Sequence, residues 1–104
     1  MNIGDYVYLY LFDFKKSINN MNRLRNDRFG CIIDKIILSN NNGNDVLLYS
    51  IRLLCNDNLI IYRTDNLSTN MVSIEQLRDL INDSDISDTK KQMLNNQIDC
   101  IINT

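Results

Sequence analysis

The sequence predicts an α+β domain in which strands come first and helices follow. Three observations carry that reading. Through Thr64 the chain shows β-branched and aromatic runs broken by turn residues, with the strong turn dipeptide Asn42-Gly43 among them. After Asp65 the apolar spacing lengthens from two residues to three or four, which is the helical period. Composition is close to globular, with 44% apolar and 23% charged residues, so 104 residues are expected to make one domain with its own core.

Residues 5–14 alternate with a period of two. Tyr6, Tyr8, Tyr10, Phe12 and Phe14 fall on one side, and Val7, Leu9 and Leu11 on the other, describing a first strand that is apolar on both faces. Two uses of the aromatic side stay open: a cover of C-terminal helices, or a partly exposed groove for a peptide. Residues 15–28 are polar and basic and read as a long loop with room for one helical turn. Residues 29–38 make a second strand rich in Ile. Residues 46–55 make a third, whose more apolar side holds Leu47, Tyr49, Ile51, Leu53 and Cys55. Asn56-Asp57 then reads as a tight turn into a fourth strand at 58–64, because both residues tolerate the left-handed backbone of a hairpin turn.

The helical part opens on a capping box. The Ser73 hydroxyl is placed to accept from the Gln76 amide while the Gln76 side chain reaches back, and Val72 and Leu77 are spaced as the accompanying hydrophobic staple. Ile74, Leu77, Leu80 and Ile81 form one apolar stripe, which ends in the polar residues 82–85. A second helix is expected to begin near Ser87–Thr89, where Thr89 and Gln92 offer another box. Leu94, Ile98, Ile101 and Ile102 line its apolar face, flanked by Met93 and Cys100. Between the helices, Asp83, Asp85 and Asp88 occupy positions that partly imitate a calcium loop. That loop needs a Gly and a Glu where this chain has Asp88 and Leu94, so the run reads as an interhelical turn with acids at a helix start.

The absences narrow the chemistry. The chain has no His, Pro, Trp or Ala, against 17 Asn and 15 Ile. Without His there is no Ser-His-Asp or Cys-His nucleophile, and Glu75 is the one Glu among 13 acids, so no enzyme is expected and no cofactor or metal is called for. Cys31, Cys55 and Cys100 are far apart, with no C-x-x-C, and read as reduced thiols packed in the core of a cytoplasmic protein. Gly4, Gly30 and Gly43 make no phosphate-binding loop. No apolar run approaches the roughly 18 residues of a membrane span, and residues 6–12 lack the flanks of a signal peptide. The excess of Asn, Ile, Lys and Tyr over Ala, Pro and His suggests an AT-rich genome or one of its viruses.

The arrangement Ile3-Gly4-Asp5-Tyr6-Val7, then Phe29-Gly30 leading an Ile-rich strand, then two closely linked strands, resembles small SH3-like barrels of the Tudor and KOW type. The likeness covers residues 3–64; the missing Trp and the helical tail depart from it. It implies a small SH3-like antiparallel β-barrel of four to five strands at 3–64, followed by two C-terminal α-helices at 73–103. Such barrels bind very different partners, so the likeness speaks to fold before activity.

Charge then points to a place. The formal net charge is −2, and the one concentrated cluster is the loop, where Lys15, Lys16, Arg23, Arg25 and Arg28 face a single acid, Asp27. The expectation is a non-enzymatic interaction protein, phage or mobile-element encoded. It would bind a host protein or protein–nucleic acid complex and inhibit or redirect it, a defence nuclease being one example. Its contact surface would be Lys15, Lys16, Arg23, Arg25 and Arg28, with Tyr8 and Tyr10 beside them if the aromatic stripe is partly open. The alternative is a nucleic-acid-binding barrel using the same loop on phosphates. A homodimer through strand edges or the Ile-rich helix is a further possibility, and no membrane partner is expected.

Overall fold

The computed structural model describes residues 1–10, 18–39, 43, 45–64 and 71–103. The strands are β1 (Tyr6–Leu9), β2 (Phe29–Ser39), β3 (Asp45–Leu53), β4 (Leu59–Thr64) and β5 (Met71–Ser73), and the helices α1 (Ile74–Asn82) and α2 (Asp88–Ile102). Two 3-10 turns, Ile18–Asn20 and Asn26–Arg28, lie between β1 and β2. The strands form one open sheet in the order β4-β3-β2-β1-β5, and every pairing is antiparallel. The α+β class predicted from the sequence is therefore what the structure shows: among the described residues, an open five-stranded antiparallel sheet with two helices.

The doubly apolar first strand explains the layering. Val7 and Leu9 face one core with Ile32, Tyr49, Ile51 and Met71, while Tyr8 faces another with Phe29, Leu77, Ile81, Leu94 and Ile98. The helices thus cover part of the aromatic stripe: Tyr8 is 3% exposed and packs edge-on against Phe29 at 4.9 Å between ring centres. The strand is shorter than the predicted 5–14. It ends at Leu9, with Tyr10 half-buried beyond it, and Leu11, Phe12 and Phe14 lie outside the described residues.

β2 lies close against β3 at Gly30. A Cβ there would sit 2.3 Å from Ile51 Cγ2 and 3.1 Å from the Arg52 carbonyl oxygen, so only glycine fits. β2 also shifts register between Ile32 and Asp34, an irregularity of the kind that bends a strand. β3 ends at Leu53, two residues before the predicted end. The Asp57 amide then donates to the Leu53 carbonyl at 3.0 Å, closing a longer turn in which Asp57 takes φ +57°. β5, three residues beside β1, carries no sequence signal of its own and leads straight into α1.

The capping box at Ser73 forms as expected, with Gln76 N donating to Ser73 Oγ at 3.2 Å and Ser73 N to Gln76 Oε1 at 3.1 Å. At α2 the expectation of a Thr89–Gln92 box is corrected. Ser87 is the cap, accepting from the Lys90 amide at 3.2 Å, because the chain turns helical one residue after it. The helices are tied by Arg78, which donates to Asn95 Oδ1 at 3.3 Å and pairs with Asp99.

Candidate functional site

The basic loop is built into the fold at several points. Ile18 and Leu24 insert into the helix-side core, 2% and 3% exposed. The Leu24 amide donates to Gln97 Oε1 of α2 at 2.8 Å, and Lys90 Nζ donates to the Asn19 carbonyl at 3.0 Å. A stretch of polar sequence is thereby fixed along the second helix, with Arg23 and Arg25 exposed on either side of the buried Leu24. The described part of the loop, residues 18–28, is therefore a docked segment.

Docking opens a groove of about 690 Å³ between the loop and α2. One wall is Arg23, Leu24, Arg25, Asn26 and Asp27; the other is Met93, Asn96, Gln97, Cys100 and Ile101. The volume falls in the range of ligand and peptide clefts. Its lining mixes apolar groups, including a Met93 that is 49% exposed, with charge confined to the loop side.

The charges of that wall are unequal. Arg25 Nε and Nη2 donate to the two carboxylate oxygens of Asp27 at 3.0 and 2.6 Å. This fork pairing holds the Asp27 carboxyl below its ordinary value and raises the Arg25 guanidinium, so each neutralises the other over the working pH range. Arg23 and Arg28 form no ion pair with any described residue. The net cation presented over the groove is Arg23.

Of the residues predicted to make contact, the structure brings Arg23 and Arg25 to the groove and leaves Arg28 half-buried at the head of β2. Tyr8 does reach the loop, since its hydroxyl meets the backbone at Arg25, but it does so from beneath and is closed to a partner. Tyr10 is half-buried, and Lys15 and Lys16 lie outside the described residues. Sequence reasoning missed Met93, Gln97 and Cys100. Met93 and Cys100 were legible as flanks of the apolar stripe of α2, but nothing in the sequence paired that flank with the loop.

The cysteine expectation is corrected. Cys55 and Cys100 are exposed and Cys31 is intermediate, because Cys55 falls in the turn beyond β3 and Cys100 lies off the core-facing stripe of α2. Asp83, Asp85 and Asp88 form the interhelical turn, and among the described residues no three His, Cys, Asp or Glu side chains come together as metal ligands. Among the described residues, no helix is long and apolar enough to cross a membrane. Compared with known proteins, the chain matches no family model, no curated protein and no solved structure.

Proposed function

We propose that this protein acts by stoichiometric binding of another protein, seating an acidic, partly apolar segment of that partner between the loop and α2. The observation that supports this reading is the loop pinned to the helix by Leu24 and Gln97, with Arg23 lining the same groove as Met93 and Ile101. A preorganised rim loses little entropy on binding, and a cation sharing a groove with apolar groups matches a carboxylate flanked by apolar side chains. The pairing of Arg25 with Asp27 reduces the charge available to phosphates, which favours a protein over nucleic acid. The sheet is read as SH3-like because β1 sits between β2 and β5 and the irregularity at Ile32–Asp34 bends β2, both of which help a five-stranded sheet curl. In the phage or mobile-element reading suggested by the amino-acid composition, the partner is a host complex that is inhibited or redirected.

The test is affinity capture with the intact chain, followed by titration of the captured protein. Arg23→Glu and Met93→Asp should each weaken binding by about tenfold or more, since each removes a groove contact and adds a charge. Saturable binding of DNA or RNA that collapses between low and moderate salt, and that Arg23→Glu abolishes, would replace this reading with the nucleic-acid one.

A further inference from the structure

The turn after Arg25 brings an acid back onto it. The Arg28 amide donates to the Arg25 carbonyl at 3.2 Å across the 3-10 turn Asn26–Arg28, and Asp27 inside that turn meets the Arg25 side chain. The Nε and Nη2 edge of the guanidinium, which can hold a carboxylate or phosphate by two parallel bonds, is thereby taken by Asp27. The Arg28 charge acts on the same carboxylate. Asp27 is the one acid from Ile18 to Arg28, against three arginines. Arg23 and Arg25 are both exposed beside the buried Leu24, so without this acid the rim would offer two neighbouring cations to a phosphate chain. The side chains of the pair are 63% and 49% exposed, and an ion pair so placed adds little to stability. Its larger effect is on the charge that the rim presents.

We propose that Asp27 sets the specificity of the groove beside α2. By filling the anion-binding edge of Arg25 it leaves Arg23 as the cation for a partner, and so selects a segment with a single carboxylate among apolar residues over a phosphate chain. This assignment rests on the protein-binding reading of the groove. Arg23 can satisfy one carboxylate while Met93 and Ile101 meet apolar neighbours of that acid. A phosphate chain needs several cations, because its affinity grows with the number of phosphates neutralised. Selectivity of this kind requires an element that works against the wrong ligand, and Asp27 supplies it.

Binding of a fluorescent single-stranded oligo-dT to four forms of the full chain tests it. These are the native chain, Asp27→Asn, Asp27→Asn combined with Arg25→Gln, and Asp79→Asn, which makes the same change of charge at an exposed position of α1. At low salt Asp27→Asn should bind about tenfold tighter than the native chain, with a salt slope steeper by about 0.7 for one added phosphate contact. Adding Arg25→Gln should cancel that gain, and Asp79→Asn should keep the native affinity. An Asp27→Asn chain that binds no tighter than the native one, a gain that survives Arg25→Gln, or an equal gain from Asp79→Asn would each overturn the role of Asp27 and leave the protein-binding reading standing. Tight, saturable binding by the native chain at moderate salt would overturn both.

Discussion

Gln97 accepts the amide proton of Leu24 across 73 positions of sequence, and this bond decides the character of the basic loop. Leu24 is buried, so its N–H has no solvent to turn to if the acceptor is lost. Gln97→Leu, which keeps the size and removes the acceptor, should lower stability by about 1–3 kcal/mol in urea unfolding. Hydrogen exchange should quicken at Leu24 while the β2–β3 amides keep their protection. Equal protection at Leu24 in both proteins would show that the loop is held by its apolar contacts alone.

Gly30 gives a second prediction, on packing. A methyl group there must displace Ile51 Cγ2 at 2.3 Å, and Ile51 is fully buried in the other core. Gly30→Ala should therefore destabilise by about 1–3 kcal/mol, in the range of overpacked cores. Combining it with Ile51→Ala should cost less than the two single losses added together, since the second change removes the clashing methyl. Strict additivity in urea unfolding would place the strain elsewhere.

How much of this was legible in the sequence follows from the range of each interaction. The Ser73–Gln76 box, the apolar stripes of both helices and the two faces of β1 depend on neighbours a few residues away, and pattern reading found them. β5 is three residues long and exists because β1 offers an edge, so no local period announces it. The groove needs Leu24 to meet Gln97 and is a tertiary fact. Cys55 and Cys100 look like core residues by type, yet their exposure is fixed by where β3 ends and which side of α2 faces inward.

The helix caps separate sequence pattern from structure. Ser87 caps α2, whereas Thr89, the residue that offers a box by pattern, lies within the first turn. Ser87→Ala should cost about 1 kcal/mol, as should Ser73→Ala at α1. Thr89→Ala should change stability by less than about 0.5 kcal/mol. Thermal melts of the three variants give the ranking, and a larger loss at Thr89 than at Ser87 would move the start of the helix.

Tyr8 makes stability depend on alkaline pH, and the sign follows from burial. The ordinary phenol value is 10.0; burial beneath the helices pushes Tyr8 above it, against smaller opposite effects from the Arg25 backbone hydrogen bond and the nearby Arg28 and Arg25 charges. The folded chain therefore holds this proton more tightly than the unfolded chain. The resulting stability is complete below the unfolded value and is lost as pH climbs from there through the raised folded value. Tyr8→Phe removes the proton together with the hydroxyl. Near neutral pH it should be less stable than the native chain by about 0.5–1.5 kcal/mol, the net worth of the hydroxyl's hydrogen bond. Above pH about 10 that gap should narrow, because only the native chain loses stability through this group. Urea midpoints for both proteins from neutral pH into the alkaline range measure the gap directly. A gap that stays constant across the range would mean that the Tyr8 phenol ionises equally readily in the folded and unfolded chains.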